Sequence, residues 1–137
     1  MFLQVNNLSK RYASKLVLEN ISFTQEKGEI ISLIGTSGIG KSTLLKCIAG
    51  LCDINSGDII LNNNKIDSLE ANNRKISYVF QESPLFPHIN VLDNILFNMS
   101  TYDKKKLDFL LEKTELKSLV KRFPFELSGG ENQRAAV

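Results

Sequence analysis

The 137-residue chain has no tryptophan, one histidine, two cysteines and three prolines. The lone histidine, His88, is far from both cysteines in sequence, which excludes a structural zinc site. Cys47 and Cys52 form no C-x-x-C and have no neighbouring histidine, so zinc-ligand spacing is absent. Two reduced, buried thiols are the expectation for them. No apolar run reaches the ~18–20 residues of a membrane span. The start, Met1-Phe2-Leu3-Gln4-Val5-Asn6-Asn7, lacks a basic segment followed by a long apolar core, and no signal peptide is expected. Surplus charge is missing too. A net charge of +2 is too small to argue for nucleic acid as a partner. The one tight basic run, Lys104-Lys105-Lys106, reads as a solvated helix face. What remains is ordinary globular composition, 42% hydrophobic and 23% charged.

Against that background one stretch stands out. Gly35-Thr36-Ser37-Gly38-Ile39-Gly40-Lys41-Ser42-Thr43 fits G-x-x-x-x-G-K-[ST]. The apolar run Ile30–Ile34 before it reads as a buried strand, and Leu44-Leu45-x-x-Ile48-x-x-Leu51 after it has helical spacing. Strand, glycine loop and helix together make a phosphate cradle. Gly35, Gly38 and Gly40 are expected to take positive φ and bring backbone N–H groups close to phosphate oxygens. The helix start adds free N–H groups and the positive end of its dipole. Lys41 is placed to reach the β- and γ-phosphates, the Ser42 hydroxyl to ligate Mg²⁺, and Thr43 to contact the α-phosphate side.

Along the chain, strands are expected at Phe2–Val5, at Leu16–Leu18 and Ile21–Phe23 with an interruption near Glu19-Asn20, at Ile59–Leu61, and at Arg74–Phe80. Lys27-Gly28-Glu29, Asn55-Ser56-Gly57-Asp58 and Asn62-Asn63-Asn64 are turn signals. After Phe80 the character changes. Pro84 and Pro87 mark a loop, and helical spacing follows in Val91–Met99, Leu107–Leu111 and Leu116–Val120. Pro124 breaks the pattern, and Leu127-Ser128-Gly129-Gly130-Glu131 opens a last helix. Ser128 is a good N-cap, and the two glycines leave the N–H groups of that helix start uncovered.

The combination resembles the ATP-binding cassette family. Leu127–Gly130 matches its L-S-G-G signature, with Glu131-Asn132-Gln133-Arg134 similar to the usual continuation. Gln81 matches the Q-loop glutamine, and Tyr12 the aromatic that stacks on adenine. Lys27–Ile30 and Ile48–Leu51 also look like the family's text around the phosphate loop. The wording Val79-Phe80-Gln81-Glu82, Leu85-Phe86-Pro87-His88 and Val91-x-x-Asn94-Ile95 looks like the ATPase subunits of bacterial importers of small hydrophilic solutes or ions.

The resemblance implies an α/β P-loop NTPase fold: an antiparallel β subdomain with part of a RecA-like core sheet, then an α-helical subdomain. It implies one partial ATP-binding domain over 1–137, with a β-rich part at 1–80, helices at 81–127 and the signature helix from 128. It implies nucleotide binding by Tyr12, Gly35, Ser37, Gly38, Gly40, Lys41, Ser42 and Thr43, with ATP and Mg²⁺ as cofactors and Ser42 and Gln81 as metal contacts. Ser128, Gly129 and Gly130 would cap the nucleotide of a second ATP-binding subunit. The Q-loop region would abut transmembrane permeases, holding the chain peripherally on the cytoplasmic face of the membrane. Leu85 and Phe86 suit that contact, or equally a clasp onto the chain's own helices. His88 comes too early to match the family's switch histidine, and a loop position near a partner surface is the better expectation.

One part of the family pattern is missing. No apolar run ending in Asp and followed by Glu occurs after Glu131, and no switch histidine follows. The nearest look-alike, Ser77–Glu82, holds Gln81 at the Asp position. No catalytic residue is assigned, and a fragment, marginally stable alone and slow or unable to hydrolyse ATP, is expected. Two other functions stay open. One is a hydrolysis-deficient nucleotide-binding pseudo-enzyme. The other is a non-transport family member, although the short span from Gln81 to Ser128 leaves no room for the long insertions such members carry. A P-loop kinase or GTPase is a weaker option, since no N-K-x-D motif is present and Leu127–Gly130 would be unexplained.

Overall fold

A tight hairpin starts the fold. Strands β1 (Leu3–Tyr12) and β2 (Lys15–Gln25) pair antiparallel, with Tyr12 opposite Lys15 across the Ala13-Ser14 turn. These coordinates are a computed structural model that describes residues 1–81, 85–97 and 99–137. Both strands run past the expected stretches because bulges carry them through their polar interruptions. Asn7 and Asn20 take left-handed φ of 49°, where asparagine is tolerated, and the register shifts between Val5 and Leu8 and again before Lys10. The interruption expected at Glu19-Asn20 is therefore a bend within one strand.

Strand β3 (Ser56–Leu61) pairs with the other edge of β1, and β4 (Asn64–Lys65) closes the sheet in the order β2-β1-β3-β4. The β3–β4 turn is Asn62-Asn63, with φ of 49° and 62°. Two successive positive φ angles give the turn whose twist matches a hairpin. Gly57 lies inside β3 rather than in a turn. A Cβ there would come within 2.5 Å of the Asn6 carbonyl oxygen, so the close strand approach requires glycine.

Helix α1 (Lys41–Ala49) covers one face of this sheet. Leu44, Cys47 and Ile48 join Leu3, Val5, Leu8, Leu18, Ile59 and Ile66 in a buried core. The 3.6-residue spacing of the helix and the alternation of the strands deliver these side chains to one place.

The expected strands Ile30–Ile34 and Arg74–Phe80 are corrected. Among the described residues neither joins a ladder. Leu33 packs on the core, but Ile30 and Ile34 are 91% and 95% exposed. An apolar run signals a buried strand only where neighbours cover both of its faces, and the antiparallel sheet supplies none for Ile30 and Ile34.

The chain divides into two units, Met1–Tyr78 and Val79–Val137. The second is helical: α2 (Val91–Ile95), α3 (Lys104–Lys113) and α4 (Gly129–Ala135), with short 3₁₀ turns at Lys117–Leu119 and Pro124–Glu126. Its own core is Val91, Leu111, Leu116, Leu119 and Ala135. Asn90 and Asp103 cap α2 and α3 through their side-chain oxygens. The α/β class holds, with the antiparallel sheet and α1 in the first unit and the remaining helices in the second. Glu82 and Pro84, named above as a look-alike base and a loop marker, lie outside the described residues.

Candidate functional site

The glycine loop Gly35–Gly40 turns into α1 at Gly40, whose φ of 108° no side chain adopts comfortably. A Cβ on Gly40 would also meet Leu18 Cδ2 at 2.9 Å and the Val17 carbonyl oxygen at 3.0 Å. The loop thus sits directly on β2, and only glycine lets it do so. Gly38 has φ of 80° and nothing within 4 Å of an added Cβ, so it is required for its conformation and faces open space. Gly35 differs from expectation. Its φ is not positive, and it is small because Ile39 Cγ2 would lie 3.0 Å from a Cβ.

No side chain caps the start of α1, and its first turn holds no acidic residue. The first N–H groups of the helix therefore keep their hydrogen-bonding capacity for something else. Lys41 folds back over the loop, and its Nζ donates to the Gly35 and Thr36 carbonyl oxygens, both at 2.8 Å. One ammonium thus lies beside the open donors. Ser42 is exposed and Thr43 half-buried on the same turn.

Tyr12, at the end of β1, comes to this turn from the sheet. It is 48% exposed, and Lys10 Nζ lies 4.9 Å above its ring. Its hydroxyl lies beside Cys52 and Thr43, and Cys52 Sγ is 4.0 Å from the Thr43 carbonyl oxygen. Cys52, as an acceptor for the neutral hydroxyl, and after it desolvation, raise the phenol above its ordinary value, while Thr43 opposes the rise. The fold therefore gathers Tyr12, Thr43 and the glycine loop within the first unit, although about thirty residues separate them in sequence.

Composition and motif gave no hint of Arg74. Read in sequence as the start of a strand, it follows a 3₁₀ turn and is only 4% exposed. Its Nη1 donates to the carbonyl oxygens of Cys47 (2.7 Å) and Ile48 (3.1 Å), Nε to that of Leu69 (2.8 Å) and Nη2 to that of Asp67 (2.8 Å). The guanidinium so closes the C-terminal end of α1, where a cation complements the helix dipole. Desolvation lowers its affinity for the proton, and the Asp67 charge partly restores it. Gly50 ends α1 with φ of 79°, and a Cβ there would lie 2.5 Å from Arg74 Nε. The sequence signal for this arrangement is the glycine of Ile48-Ala49-Gly50-Leu51, which marks a helix end that a distant donor can approach.

In the second unit Gln81 is exposed. Leu85 packs against the helical core, and the Phe86 ring meets Phe97 at 4.4 Å and His88 edge-on at 5.9 Å. Asn94 holds this loop: its Oδ1 accepts from the Phe86 N–H, and its Nδ2 donates to the carbonyl oxygens of Phe86, Ile89 and Asn90. Leu85 and the Phe86 ring are thus occupied by the chain's own residues, though Phe86 keeps an exposed face. At α4, Ser128 and Glu131 form a reciprocal cap. The Ser128 N–H donates to Glu131 Oε2 at 2.6 Å, and the Glu131 N–H to Ser128 Oγ at 3.3 Å. The bond from the Ser128 N–H, chiefly, holds the Glu131 carboxyl below its ordinary value. A Cβ on Gly129 would meet nothing within 4 Å.

The first unit therefore offers one cation, a run of uncapped backbone donors and an exposed hydroxyl around an open glycine loop, with an aromatic ring at its margin. That donor set suits a polyphosphate carrying a flat base. Among the described residues no helix is long and apolar enough to cross a membrane.

Known proteins agree with this reading. The chain is 39% identical over 139 aligned positions to the maltose/maltodextrin import ATP-binding protein MalK of Vibrio vulnificus, covering 97% of this chain and 38% of that protein. It is 37% identical over 147 positions to the sulfate/thiosulfate import ATP-binding protein CysA of Yersinia pestis, covering all of this chain and 40% of that one. The chain thus spans well under half the length of these relatives. It also superposes, at a TM-score of 0.83 and 27% identity, on the dimeric post-hydrolysis structure of the ATP-binding cassette MJ0796 bound to ADP and Pi, covering 98% of this chain and 66% of that one. The ABC transporter family matches residues 18–137, and the chain belongs to that family.

Proposed function

We propose that this chain is the nucleotide-binding part of an importer's ATP-binding subunit. In the whole protein, ATP binding and hydrolysis would be coupled to uptake of a small hydrophilic solute or ion. The observation that carries the reading is the start of α1: an uncapped turn, an open glycine loop and the Lys41 ammonium converge on one point. The relatives are named as import ATP-binding proteins, one for maltose and one for sulfate, so the solute itself is left unassigned.

Each residue has a role in this reading. Adenine lies against Tyr12. Gly35, Ser37, Gly38 and Gly40 shape the loop, and the N–H groups from Gly38 to Thr43 hold phosphate oxygens with Lys41. Ser42 and Gln81 contact Mg²⁺, which when bound neutralises charge on the phosphates. Lys41 exchanges two neutral carbonyl partners for anionic oxygens, a stronger pairing. Ser128, Gly129 and Gly130 face the nucleotide of a second subunit, in keeping with the dimeric neighbour. No residue of this chain is assigned as the hydrolytic base. Permeases, contacted through the Q-loop region, would hold the subunit at the cytoplasmic face of the membrane.

Titration of a fluorescent ATP analogue with Mg²⁺ tests the proposal in the full-length protein. Lys41→Ala should weaken binding about tenfold or more, the scale of one lost charge-assisted contact. Unchanged affinity would overturn the assignment.

A further inference from the structure

The sequence predicts Cys47 and Cys52 as two buried, reduced thiols. Both are free, but only Cys47 is buried, and Cys52 is half-exposed. Their sulfurs lie 3.3 Å apart. The backbone explains why. The Gly50 N–H donates to the Cys47 carbonyl oxygen at 3.2 Å and the Leu51 N–H to that of Lys46 at 2.9 Å. This is a Schellman turn, which reverses the chain over the last turn of α1 and lays Cys52 beside Cys47. Arg74, bonded to the Cys47 and Ile48 carbonyl oxygens, holds the same turn from the other side. The thiols meet within a fixed frame, and joining them requires their sulfurs to approach by only about 1.2 Å.

We propose that Cys47 and Cys52 are a thiol–disulfide modification site for a low-molecular-weight disulfide, and that its closure alters the Tyr12 contact beside the nucleotide loop. The coupling to nucleotide rests on the function proposed above; the modification itself does not. The order of events follows from exposure. The Cys52 thiolate attacks one sulfur of the external disulfide, and the first thiolate leaves and takes up the proton Cys52 released. The Cys47 thiolate then attacks Cys52 Sγ, forming the Cys47–Cys52 bond. The second thiolate leaves and takes up the proton from Cys47. Two protein thiols are oxidised and one disulfide is reduced to two thiols. Burial, and after it the Cys52 hydrogen bond, pushes the Cys47 thiol up to about 12, so Cys47 does not attack the external disulfide first; its sulfur enters the second step because the turn holds it 3.3 Å from Cys52. Once the bond is closed, Cys52 Sγ is drawn towards Cys47, away from the Tyr12 hydroxyl and from the Thr43 carbonyl oxygen that lies 4.0 Å from it.

The test uses the full-length protein, first reduced and then equilibrated with oxidised glutathione. Cys47 and Cys52 fall in one tryptic peptide, Cys47–Lys65. That peptide should appear two hydrogens lighter and resist alkylation until reduced. The closure constant against glutathione should be about tenfold or more higher in the native protein than in urea, since the turn fixes the two sulfurs together. In Cys47→Ala, a glutathione adduct on Cys52 should accumulate instead. Thiols that remain freely alkylated, adducts without closure in the unmutated protein, or equal closure constants in native and unfolded chains would overturn the site. The closed form should bind the ATP analogue several-fold more weakly than the reduced form, and equal binding would overturn the coupling to Tyr12. A reduced protein that fails to bind the analogue, while still closing the bond, would count against the proposed function and not against the thiol site.

Discussion

Helices α1 and α4 both begin at a glycine-rich stretch, yet they treat their free N–H groups in opposite ways. At α1 the capping position is Gly40, no side chain closes the turn, and a cation, Lys41, lies over the loop. At α4 the capping position is Ser128, and Glu131 returns the bond, so the first turn is satisfied by the chain itself. An open start with a cation is suited to gripping an anion. A closed start is suited to presenting its glycines and one serine hydroxyl as a firm edge. The difference also shows at the far ends. Arg74 clamps the end of α1 through carbonyl oxygens from three separate places, whereas the last turn of α4 is tied by the bond from Arg134 Nε to the Thr114 carbonyl oxygen, at 2.9 Å.

If α1 keeps its start open because its other end is anchored, breaking the anchor should have the largest consequence. Arg74→Ala leaves buried carbonyl oxygens unsatisfied at the end of α1 and in the Asp67–Leu69 segment. The expected loss is about 3 kcal/mol or more, read as a lower urea midpoint. Arg134→Ala, its counterpart on α4, removes a single exposed contact and should cost about 1 kcal/mol or less. Equal losses would remove the distinction between the two helices. Gly40→Ala comes next. It forces a side chain into φ of 108° and against Leu18 and the Val17 carbonyl oxygen, at a cost of about 2 kcal/mol. Gly129→Ala has open space and no such φ and should be close to neutral for stability, as thermal unfolding of the pair would reveal.

The two sites differed in legibility for the same reason. A motif read from sequence records residue types whose work is local. Lys41, the turn at Gly38 and Gly40, and the Ser128 cap were all legible because each depends on neighbours within a few residues. Arg74 was not, since its partners are backbone carbonyl oxygens, which leave no residue-type signal, and two of them, on Cys47 and Ile48, are far away in sequence. The meeting of Tyr12 with Thr43 and Cys52 was equally hidden in residue types, although family resemblance pointed to Tyr12. Ile30–Ile34 was misread for a different reason. Its composition demands burial on both faces, and sequence pattern cannot say whether the covering strands are at hand. The loop motif predicts positive φ for Gly35, Gly38 and Gly40 alike, yet only Gly38 and Gly40 take it; Gly35 meets only the exposed Ile39 side chain.

The closed start of α4 gives the smaller effects. Ser128→Ala removes one half of the reciprocal cap and should cost about 1 kcal/mol in urea unfolding, with Ser128→Asn or Ser128→Asp restoring most of it. The finest test is pH. Glu131 is held below its ordinary carboxyl value by the Ser128 N–H, so its contribution is fully present above the unfolded value of 4.5 and disappears as pH falls through the lower, folded one. Hydrogen exchange at the Ser128 and Glu131 amides should therefore lose protection, relative to the intrinsic rate, as pH falls below 4.5 and through the lower folded value. The amides that open α1 have no acidic residue in their first turn, and their protection should not follow that titration. If protection at both helix starts changed together, the loss would be global unfolding in acid, and the local cap at Glu131 would not be its cause.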